Sequence, residues 1–337
     1  MVNTAVIGCG YWGPNLVRNF FSLSDCDVKS VCDIDTKRLD HIKSLYPRIH
    51  TSKEYTGIIN DPDIEAIAIA TPVRFHYEMA KLSLENRKHT FIEKPMASSV
   101  AECKDLIEIA KKNKLILMVG HTFIYSTPIQ KIKQIFDSGE LGKIQYISCK
   151  RLNLGLFQKD INVAWDLAPH DISIILHLMG DMPESINCQG KAHVNPSIED
   201  VTCMTLNFRD NGLAIIQSSW LDPNKVREIT FVGTKKMLVY DDIEPNEKIR
   251  IYDKSVDIPP HYDTFAEFQY SYHYGDMHCP YMKLTEPLRV ECQHFIDCIK
   301  NKSTPLSNGE EGLKVVQVLE YASESLNKNG ANVKIPC

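Results

Sequence analysis

The chain lacks the features that mark nucleic-acid-binding and membrane proteins. Its 38 lysines and arginines are outnumbered by 43 aspartates and glutamates, and the net charge of −5 gives no electrostatic basis for binding nucleic-acid phosphates. No apolar run approaches the roughly 20 residues that a membrane-spanning helix requires. The first residues, MVNTAVIG, lack the charged segment and the cleavable apolar segment of a secretory signal. We therefore expect neither a nucleic acid nor a membrane as a partner.

Paired cysteines and zinc-ligand spacings are also missing. The 11 cysteines are an odd number, and no two of them form a CxxC pair. In a chain of 337 residues this pattern is typical of reduced thiols and predicts a cytoplasmic protein without a disulfide framework. His273, Asp276, His278 and Cys279 are close in sequence, but no second ligand pair stands at zinc-finger spacing, so no metal site is expected.

Short apolar segments alternate with amphipathic ones over the first third of the chain. The apolar segments are rich in Val, Ile and Ala, which is typical of parallel strands that are buried on both faces. A helix over 99–113 opens with a capping box, formed by Ser99 and Glu102. The pattern predicts an α/β domain over residues 1–124 with a doubly wound parallel sheet, its strands at 3–8, 28–33, 65–70, 88–93 and 115–120.

Beyond residue 124 the pattern changes to consecutive strands with few helices between them. Asp210-Asn211-Gly212 is a hairpin-turn signal between two of these strands. We expect an α+β domain over 125–337 with a largely antiparallel open sheet. The outer face of such a sheet commonly becomes a subunit interface, so a homodimer or homotetramer is expected. The strand candidates are 143–154, 200–208, 213–220, 226–233, 237–240 and 248–252, and the helix candidates are 128–138, 286–300 and 310–328.

A glycine-rich turn lies between the first strand and the first helix. Its glycines, Gly8, Gly10 and Gly13, serve a tight turn, close approach of the backbone to a pyrophosphate, and close packing of helix on strand. Asp33 ends the second strand, where a carboxylate can accept hydrogen bonds from both ribose hydroxyl groups and repel a 2′-phosphate. This context predicts a Rossmann domain that binds NAD. Lys37 and Arg38 leave NADP open, and a turn that serves only packing is the alternative.

The segment Glu93-Lys94-Pro95 ends the fourth strand candidate. In open α/β sheets, ligands bind outside the carboxyl ends of the strands, so Lys94 is predicted to face the nicotinamide. Taken alone, a lysine would more simply be a solvated surface residue. The segment ATPVRFH closes the third strand in the same way, and Thr71 and His76 are candidate cofactor contacts.

The segment WDLAPHD, residues 165–171, places an acid and a histidine four residues apart at a predicted helix start. If 166–179 is helical, Asp166 and His170 lie one turn apart on one face. One interpretation is structural, because Asp is a favoured N-cap and Pro169 is tolerated in a first turn. The other is a general base, His170, oriented by the Asp166 carboxylate. The structural interpretation leaves His170 unexplained.

Several segments point together to one family: GCGYWG, ATPVRFH, IEKP, SGELGKI and WDLAPHDISIILHLMG. On these residues the chain resembles the Gfo/Idh/MocA family of NAD(P)-dependent oxidoreductases over nearly its whole length. The resemblance implies that His170 takes the proton of a sugar hydroxyl group, that Asp166 orients His170, and that Lys94 hydrogen-bonds the reacting oxygen while hydride passes to C4 of the nicotinamide. The cofactor contacts that it implies are Gly8, Gly10, Tyr11, Trp12, Gly13, Asp33, Thr71, Pro72, His76, Glu93, Lys94 and His121. Near Thr122 the chain departs from many members, which carry Asn or Gln there.

A narrower resemblance is to family members of nucleotide-sugar pathways. It is carried by the segments GYWGPNLVRNF and RLNLGLFQKDINVAWDLAPHD, and by YSYHYGD with the following PYMKLTEPLR. It implies an enzyme similar to UDP-N-acetylglucosamine 3-dehydrogenases, which make a 3-keto sugar for cell-surface polysaccharide or lipid A-type biosynthesis. Arg151, Asn153 and Lys159 are candidate contacts for the sugar or the diphosphate, and a solvated strand edge is their alternative. An NADPH-dependent 3-ketoreductase of a deoxysugar and a non-catalytic sensor of NAD or sugar remain the other hypotheses.

Overall fold

The computed structural model describes residues 1–257 and 271–336 of the chain. The chain divides into two compact units: Met1–Ser126 with Thr285–Glu320, and Thr127–Leu284 with Tyr321–Cys337. The domain boundary between residues 124 and 125 stays a prediction, and the first unit also takes in a C-terminal segment. Tyr270, with which the motif YSYHYGD begins, lies outside the described residues. None of the helices in the described part of the chain combines the length and apolar character needed to cross a membrane.

The N-terminal part of the first unit alternates strands and helices, as predicted. The strands form one parallel sheet in the order β3-β2-β1-β4-β5-β6, which is the doubly wound arrangement. The predicted sheet is therefore confirmed, although the three-residue β3 was missed because so short a segment carries no periodic signal. The elements are β1 Val2–Ile7, α1 Gly13–Phe21, β2 Cys26–Cys32, α2 Thr36–Leu45, β3 His50–Ser52, α3 Tyr55–Ile59, β4 Ala66–Ile69, α4 His76–Glu85, β5 His89–Glu93, α5 Val100–Asn113 and β6 Leu117–Gly120.

The remaining elements follow the predicted change to consecutive strands. In chain order they are α6 Thr127–Asp137, β7 Ile144–Leu154, α7 Val163–Met179, β8 Ser185–Lys191, β9 Val201–Asn207, β10 Leu213–Ser219, β11 Leu221–Gly233, β12 Met237–Asp241, β13 Ile249–Asp257, β14 Ser271–His278, α8 Pro287–Asn301, α9 Gly309–Asn327 and β15 Val333–Lys334. Short 3₁₀ turns lie at Val73–Phe75, Thr122–Tyr125 and Arg209–Asn211.

The second unit is built on a nine-stranded sheet in the order β14-β13-β12-β11-β7-β10-β9-β8-β15. Every neighbouring pair is antiparallel except β10 with β7, which is parallel, so the predicted largely antiparallel sheet is confirmed. Along β9 the residues Thr202, Met204 and Leu206 are buried and alternate with less buried ones, as expected for a sheet covered on one face. The helix α7 packs on β9 and β10 and buries most of its apolar residues there.

The core of the first unit includes a helix from the C-terminal part of the chain. Phe295 on α8 meets the rings of Phe20 on α1 and Phe91 on β5, with ring centroids 6.2 and 5.8 Å away. All three rings are fully buried and meet edge to face, a favourable aromatic geometry. The residues Leu288, Cys292 and Ile296 of α8 belong to the same cluster. Burial of this apolar face explains why α8 belongs to the first unit.

Candidate active site

The glycine turn after β1 requires glycine at two of its three positions. Gly8 has φ +97°, and a Cβ there would lie 2.6 Å from the carbonyl oxygen of Ala70. A Cβ on Gly13 would lie 1.9 Å from the carbonyl oxygen of Gly8, so α1 can begin there only with glycine. A Cβ on Gly10 would meet only Arg38 Nη1 among the described residues, at 3.9 Å. Packing therefore does not explain Gly10, whereas a phosphate lying on its backbone would.

The first turn of α1 is suited to an anion. Trp12 precedes the helix, Pro14 stands in its first turn, and no side chain within the described residues caps it. Pro14 has no N–H and Asn15 N–H donates to the carbonyl oxygen of Trp12, so it is mainly the positive end of the helix dipole that remains available for a pyrophosphate. Tyr11 and Trp12 are exposed and meet edge to face with centroids 5.5 Å apart. These features fit the pyrophosphate of NAD, which was predicted to bind here.

Asp33 lies directly after β2 and is already engaged with the turn. Its Oδ2 accepts a hydrogen bond of 2.6 Å from the backbone N–H of Cys9, and its Oδ1 accepts one of 2.8 Å from Asp35 N–H. Arg38 Nη1 lies 3.5 Å from the same Oδ2 in a half-exposed ion pair. Oδ2 is contacted by two donors, whereas Oδ1 has one and can accept a further hydrogen bond, so a ribose contact remains open to Asp33 through Oδ1. The carboxylate thus holds the glycine turn as well as being the predicted ribose acceptor.

His76 connects the two loops that follow β4 and β5. Its Nδ1 lies 2.9 Å from the carbonyl oxygen of Pro95, and its Nε2 lies 2.8 Å from that of Thr71. The ring is buried, and burial lowers its pKa although both backbone contacts oppose that shift. His76 therefore holds the loops of Thr71 and Lys94 together, and its predicted cofactor contact would be indirect. Thr71 and Pro72 lie in the first of these loops and are partly exposed.

Glu93, Lys94 and His121 lie at the carboxyl ends of β5 and β6, and their contacts with the cofactor stay a prediction. Glu93 is buried and pairs across the sheet with Gly120, whose Cβ, if present, would lie 3.2 Å from the carboxyl carbon of Glu93. Lys94 is half-buried and follows the strand directly. His121 is buried immediately after β6.

The helix that carries Asp166 and His170 begins three residues earlier than predicted. Asn162 is its N-cap, and its side chain accepts a hydrogen bond of 3.2 Å from Trp165 N–H. The interpretation of Asp166 as the N-cap is therefore wrong, because Asn162 already satisfies that role. Asp166 lies within the first turn instead, and its Oδ2 accepts a hydrogen bond of 3.1 Å from Trp220 Nε1–H. Pro169 lies inside the helix, and His170 is half-buried one turn after Asp166.

The predicted substrate contacts on β7 differ in their environments. Arg151 is buried, and its Nε and Nη2 lie 3.0 and 2.7 Å from the carboxylate oxygens of Asp171 on α7. The alternative of a solvated strand edge is therefore wrong for Arg151. Asn153 is half-buried near the end of the strand, and Lys159 is exposed in the segment before α7.

Two residues that contact the predicted site were not found from sequence. Trp220 follows β10 and donates to Asp166, a contact that only the fold creates. Glu291 lies on α8 and is fully buried, and its Oε2 accepts a hydrogen bond of 2.7 Å from Thr122 Oγ1. The signal for Glu291 was present, since a glutamate interrupts an apolar helical face otherwise formed by Leu288, Cys292 and Phe295.

No group of three or more His, Cys, Asp or Glu residues in the described ranges is arranged to hold a metal ion. His273, considered for zinc from the sequence, instead lies 3.3 Å from an oxygen of Asp253 on the neighbouring strand β13.

Comparison with known proteins matches segments of both units to models of one protein family. Residues 2–121 match the model described as an oxidoreductase family with an NAD-binding Rossmann fold, and residues 129–239 match the GFO/IDH/MocA C-terminal domain. The uncharacterised oxidoreductase YrbE of Bacillus subtilis is 26% identical, over 96% of this chain and 94% of that protein. The myo-inositol 2-dehydrogenase of Thermotoga maritima is 23% identical, over 98% of this chain and 97% of that protein.

A solved structure shares the fold over almost the whole chain. The UDP-N-acetylglucosamine 3-dehydrogenase GnnA of Acidithiobacillus ferrooxidans superimposes with a TM-score of 0.79 and 20% identity, covering 97% of this chain and 98% of that one. At this identity the likeness concerns the fold alone. The two matched domain models together give the cofactor as NAD and the class of protein as an oxidoreductase.

Proposed function

The chain belongs to the GFO/IDH/MocA family of NAD-binding oxidoreductases, and from this premise we propose that it is a dehydrogenase that oxidises a ring hydroxyl group of a sugar to a ketone. The observation that carries the proposal is the first turn of α7. There Asp166 is fixed by the indole N–H of Trp220, and His170 follows one helical turn later. A carboxylate and an imidazole at this spacing are suited to general-base catalysis.

In the proposed reaction each group has one role. His170 takes the proton of the hydroxyl group, and the Asp166 carboxylate stabilises the imidazolium that results. Lys94 donates a hydrogen bond to the oxygen as it becomes a carbonyl, which stabilises the negative charge that develops there. When bound, NAD⁺ supplies the acceptor for the hydride that leaves the carbon atom. The products are a keto sugar, NADH and one proton on His170.

The substrate proposed is a nucleotide sugar that is oxidised at C3, such as a UDP-N-acetylhexosamine. The fold shared with a UDP-N-acetylglucosamine 3-dehydrogenase supports this choice. Asn153 and Lys159 remain candidate contacts for the sugar or the diphosphate, whereas the guanidinium of Arg151 is already paired with Asp171. The keto product would serve cell-surface polysaccharide or lipid A-type biosynthesis, and a homodimer or homotetramer is the proposed assembly.

The direct test is a screen for NADH formation. The purified protein is incubated with NAD⁺ and a panel of UDP- and dTDP-sugars, with an aminotransferase that draws off the keto product. We expect NADH absorbance to rise with a UDP-N-acetylhexosamine and to stay flat with the free sugar, which lacks the diphosphate. A protein that only consumes NADPH with a 3-keto deoxysugar would be the ketoreductase instead, and binding without any turnover would indicate a sensor.

A further inference from the structure

Three buried polar residues lie together at the carboxyl ends of β5 and β6 in the first unit. Glu93 ends β5, His121 follows β6, and Glu291 reaches the same place from α8 through its hydrogen bond with Thr122. All three side chains are buried, and Glu291 has no exposed surface at all. A buried charge is costly unless it is paired, so this cluster requires an explanation beyond packing.

The cluster is short of hydrogen bonds within the described part of the chain. Glu93 Oε2 accepts a hydrogen bond of 3.3 Å from Lys94 N–H, and Glu291 Oε2 accepts the bond from Thr122. The Oε1 atoms of both glutamates and both ring nitrogens of His121 have no partner among the described residues. Neither carboxylate therefore has enough donors to remain ionised at low cost.

Lys94 is the positive group that acts on this cluster. Burial raises the pKa of Glu93 to about 7, and the charge of Lys94 together with the hydrogen bond from its backbone N–H opposes this rise. Burial and the neighbouring charge of Glu93 raise the pKa of Glu291 well above its ordinary value. Burial together with Lys94 lowers the pKa of His121 to about 3, so the imidazole is neutral. Among the described residues, the other titratable groups facing the cluster are Tyr125 and Cys292, whose pKa values burial raises, so both stay neutral as well.

We infer that Glu93 and Glu291 form a buried acid pair in which Glu291 holds its proton and Glu93 carries the single negative charge that opposes Lys94. Two buried carboxyl groups under one ammonium group cannot both ionise, and the glutamate next to Lys94 is the one that does. The strand order is that of a doubly wound sheet, in which a dinucleotide binds at the carboxyl ends of the strands, and we expect its nicotinamide half over β4, β5 and β6. Glu93 is thus a positioning residue: its negative charge interacts with Lys94 and with the positive charge of the nicotinamide ring that binds at these strand ends.

The charge of Glu93 should distinguish the two redox forms of the cofactor. The nicotinamide ring of NAD⁺ is positive and that of NADH is neutral, so ionised Glu93 favours NAD⁺ alone. The affinity for NAD⁺ should therefore increase roughly three- to tenfold between pH 6 and pH 8, whereas the affinity for NADH stays nearly constant. This inference concerns cofactor binding and does not depend on which sugar the protein oxidises.

The test measures dissociation constants of NAD⁺ and NADH across this pH range without any substrate. Glu93→Gln keeps an acceptor for Lys94 N–H but carries no charge, and it should abolish the pH step. Glu291→Gln mimics the protonated acid and should keep the step, as should the matched control Glu108→Gln, an exposed carboxylate on α5. A step that persists in Glu93→Gln, or one that disappears in Glu291→Gln, would overturn the assignment.

A second measurement covers the case in which Glu93→Gln does not fold. The infrared spectrum of the wild-type protein at pH 8 should contain a protonated carboxyl band that Glu291→Gln lacks. The stability of the protein should also depend on pH, because the pKa of Glu93 is raised in the folded state. Its contribution to the free energy of unfolding is complete below about pH 4.5 and is lost as the pH rises through about 7. Absence of a protonated carboxyl band at pH 8 would exclude the pair.

Discussion

Asp33 contributes to the cofactor site in two ways at the scale of a single residue. Its carboxylate accepts from Cys9 N–H and so fixes the glycine turn, while its position after β2 suits it to the adenine ribose. A substitution with alanine would remove both contributions together. Asparagine separates them in part: its amide oxygen can still accept from Cys9 N–H and the negative charge that repels a 2′-phosphate is gone, but its NH2 group cannot accept the hydrogen bond from Asp35 N–H.

We expect Asp33→Asn to reduce the preference for NAD over NADP by about tenfold, roughly 1.4 kcal/mol. It should also cost about 1 kcal/mol of stability, because the hydrogen bond from Asp35 N–H is lost. The measurement is the ratio of the two dissociation constants, with circular dichroism as the check on folding. Arg38, which lies 3.5 Å from the carboxylate, would then be free to meet a 2′-phosphate. An unchanged ratio would mean that Asp33 serves only the turn.

His170 is the residue on which the proposed chemistry depends. Loss of a general base lowers a rate by about 10²–10⁴-fold, so His170→Ala should lose nearly all sugar-dependent reduction of NAD⁺. NAD binding should be retained, because the glycine turn and Asp33 belong to the other unit. The matched control is His177→Ala on the same helix, which should keep turnover. Equal activity in both variants would refute the catalytic role of His170.

At the scale of elements, one buried ion pair ties α7 to the sheet of the second unit. Arg151 on β7 and Asp171 on α7 are both buried and meet through two hydrogen bonds. Asp171 directly follows His170, so this pair fixes the helix next to the proposed base. A bidentate pair also has a defined geometry, which a lysine in place of Arg151 would not reproduce.

Breaking this pair should be costly. Arg151→Met leaves the Asp171 carboxylate buried without its partner, and we expect a loss of about 3–5 kcal/mol in the free energy of unfolding. The double substitution Arg151→Met with Asp171→Leu should recover much of that loss, because two apolar groups replace the two charges. Urea denaturation measures both.

The neighbouring residue on the same strand provides the control for this prediction. Lys150 forms a pair with Glu228 at 3.6 Å, and its side chain is about half exposed. Lys150→Ala should therefore cost only about 0–1 kcal/mol. Similar losses of unfolding free energy at both positions would show that the buried Arg151–Asp171 pair contributes no more to stability than the exposed Lys150–Glu228 pair.

At the scale of the whole molecule, the chain returns to its first unit after completing most of the second. Thr285–Glu320 belong to the first unit, where α8 supplies Phe295 to the aromatic cluster and Glu291 to the acid pair. The first unit is therefore incomplete until the C-terminal part of the chain has been made. Contacts this distant in sequence slow folding, because a long loop must close before they form.

Phe295→Ala measures how much the stability of the first unit depends on the packing of α8. Phe295 is fully buried between Phe20 and Phe91, and removal of such a ring typically costs about 3–5 kcal/mol. We expect this loss of free energy in the unfolding transition of the first unit. Bound NAD should shift the same transition, because the glycine turn that is proposed to bind it lies in the first unit. Val290→Ala on the same helix is the control, because Val290 is exposed. A loss below about 1 kcal/mol would mean that the core closes without α8.

The features that local chemistry dictates could be predicted from the order of the amino acids. The period of apolar residues defined most strands and helices, Ser99 was found as the cap that accepts from Glu102 N–H, and Asp210-Asn211-Gly212 joins two paired strands as predicted. The glycine turn with Asp33 followed from steric and electrostatic rules that act over a few residues. Each of these signals depends on residues that are close in the chain, so each can be recognised without knowledge of the fold.

Which distant groups share an environment could be learned only from the folded chain. Arg151 is not at a solvated strand edge but forms a buried pair with Asp171. The N-cap of α7 is Asn162 and not Asp166. Trp220 donates a hydrogen bond to the Asp166 carboxylate. Folding also places Glu291 beside Glu93, which lies 198 positions earlier in the chain, counting from 93 to 291. Burial sets the free-energy cost of a charge, and the burial of a residue depends on the whole packed molecule, so no single segment of the sequence reveals it.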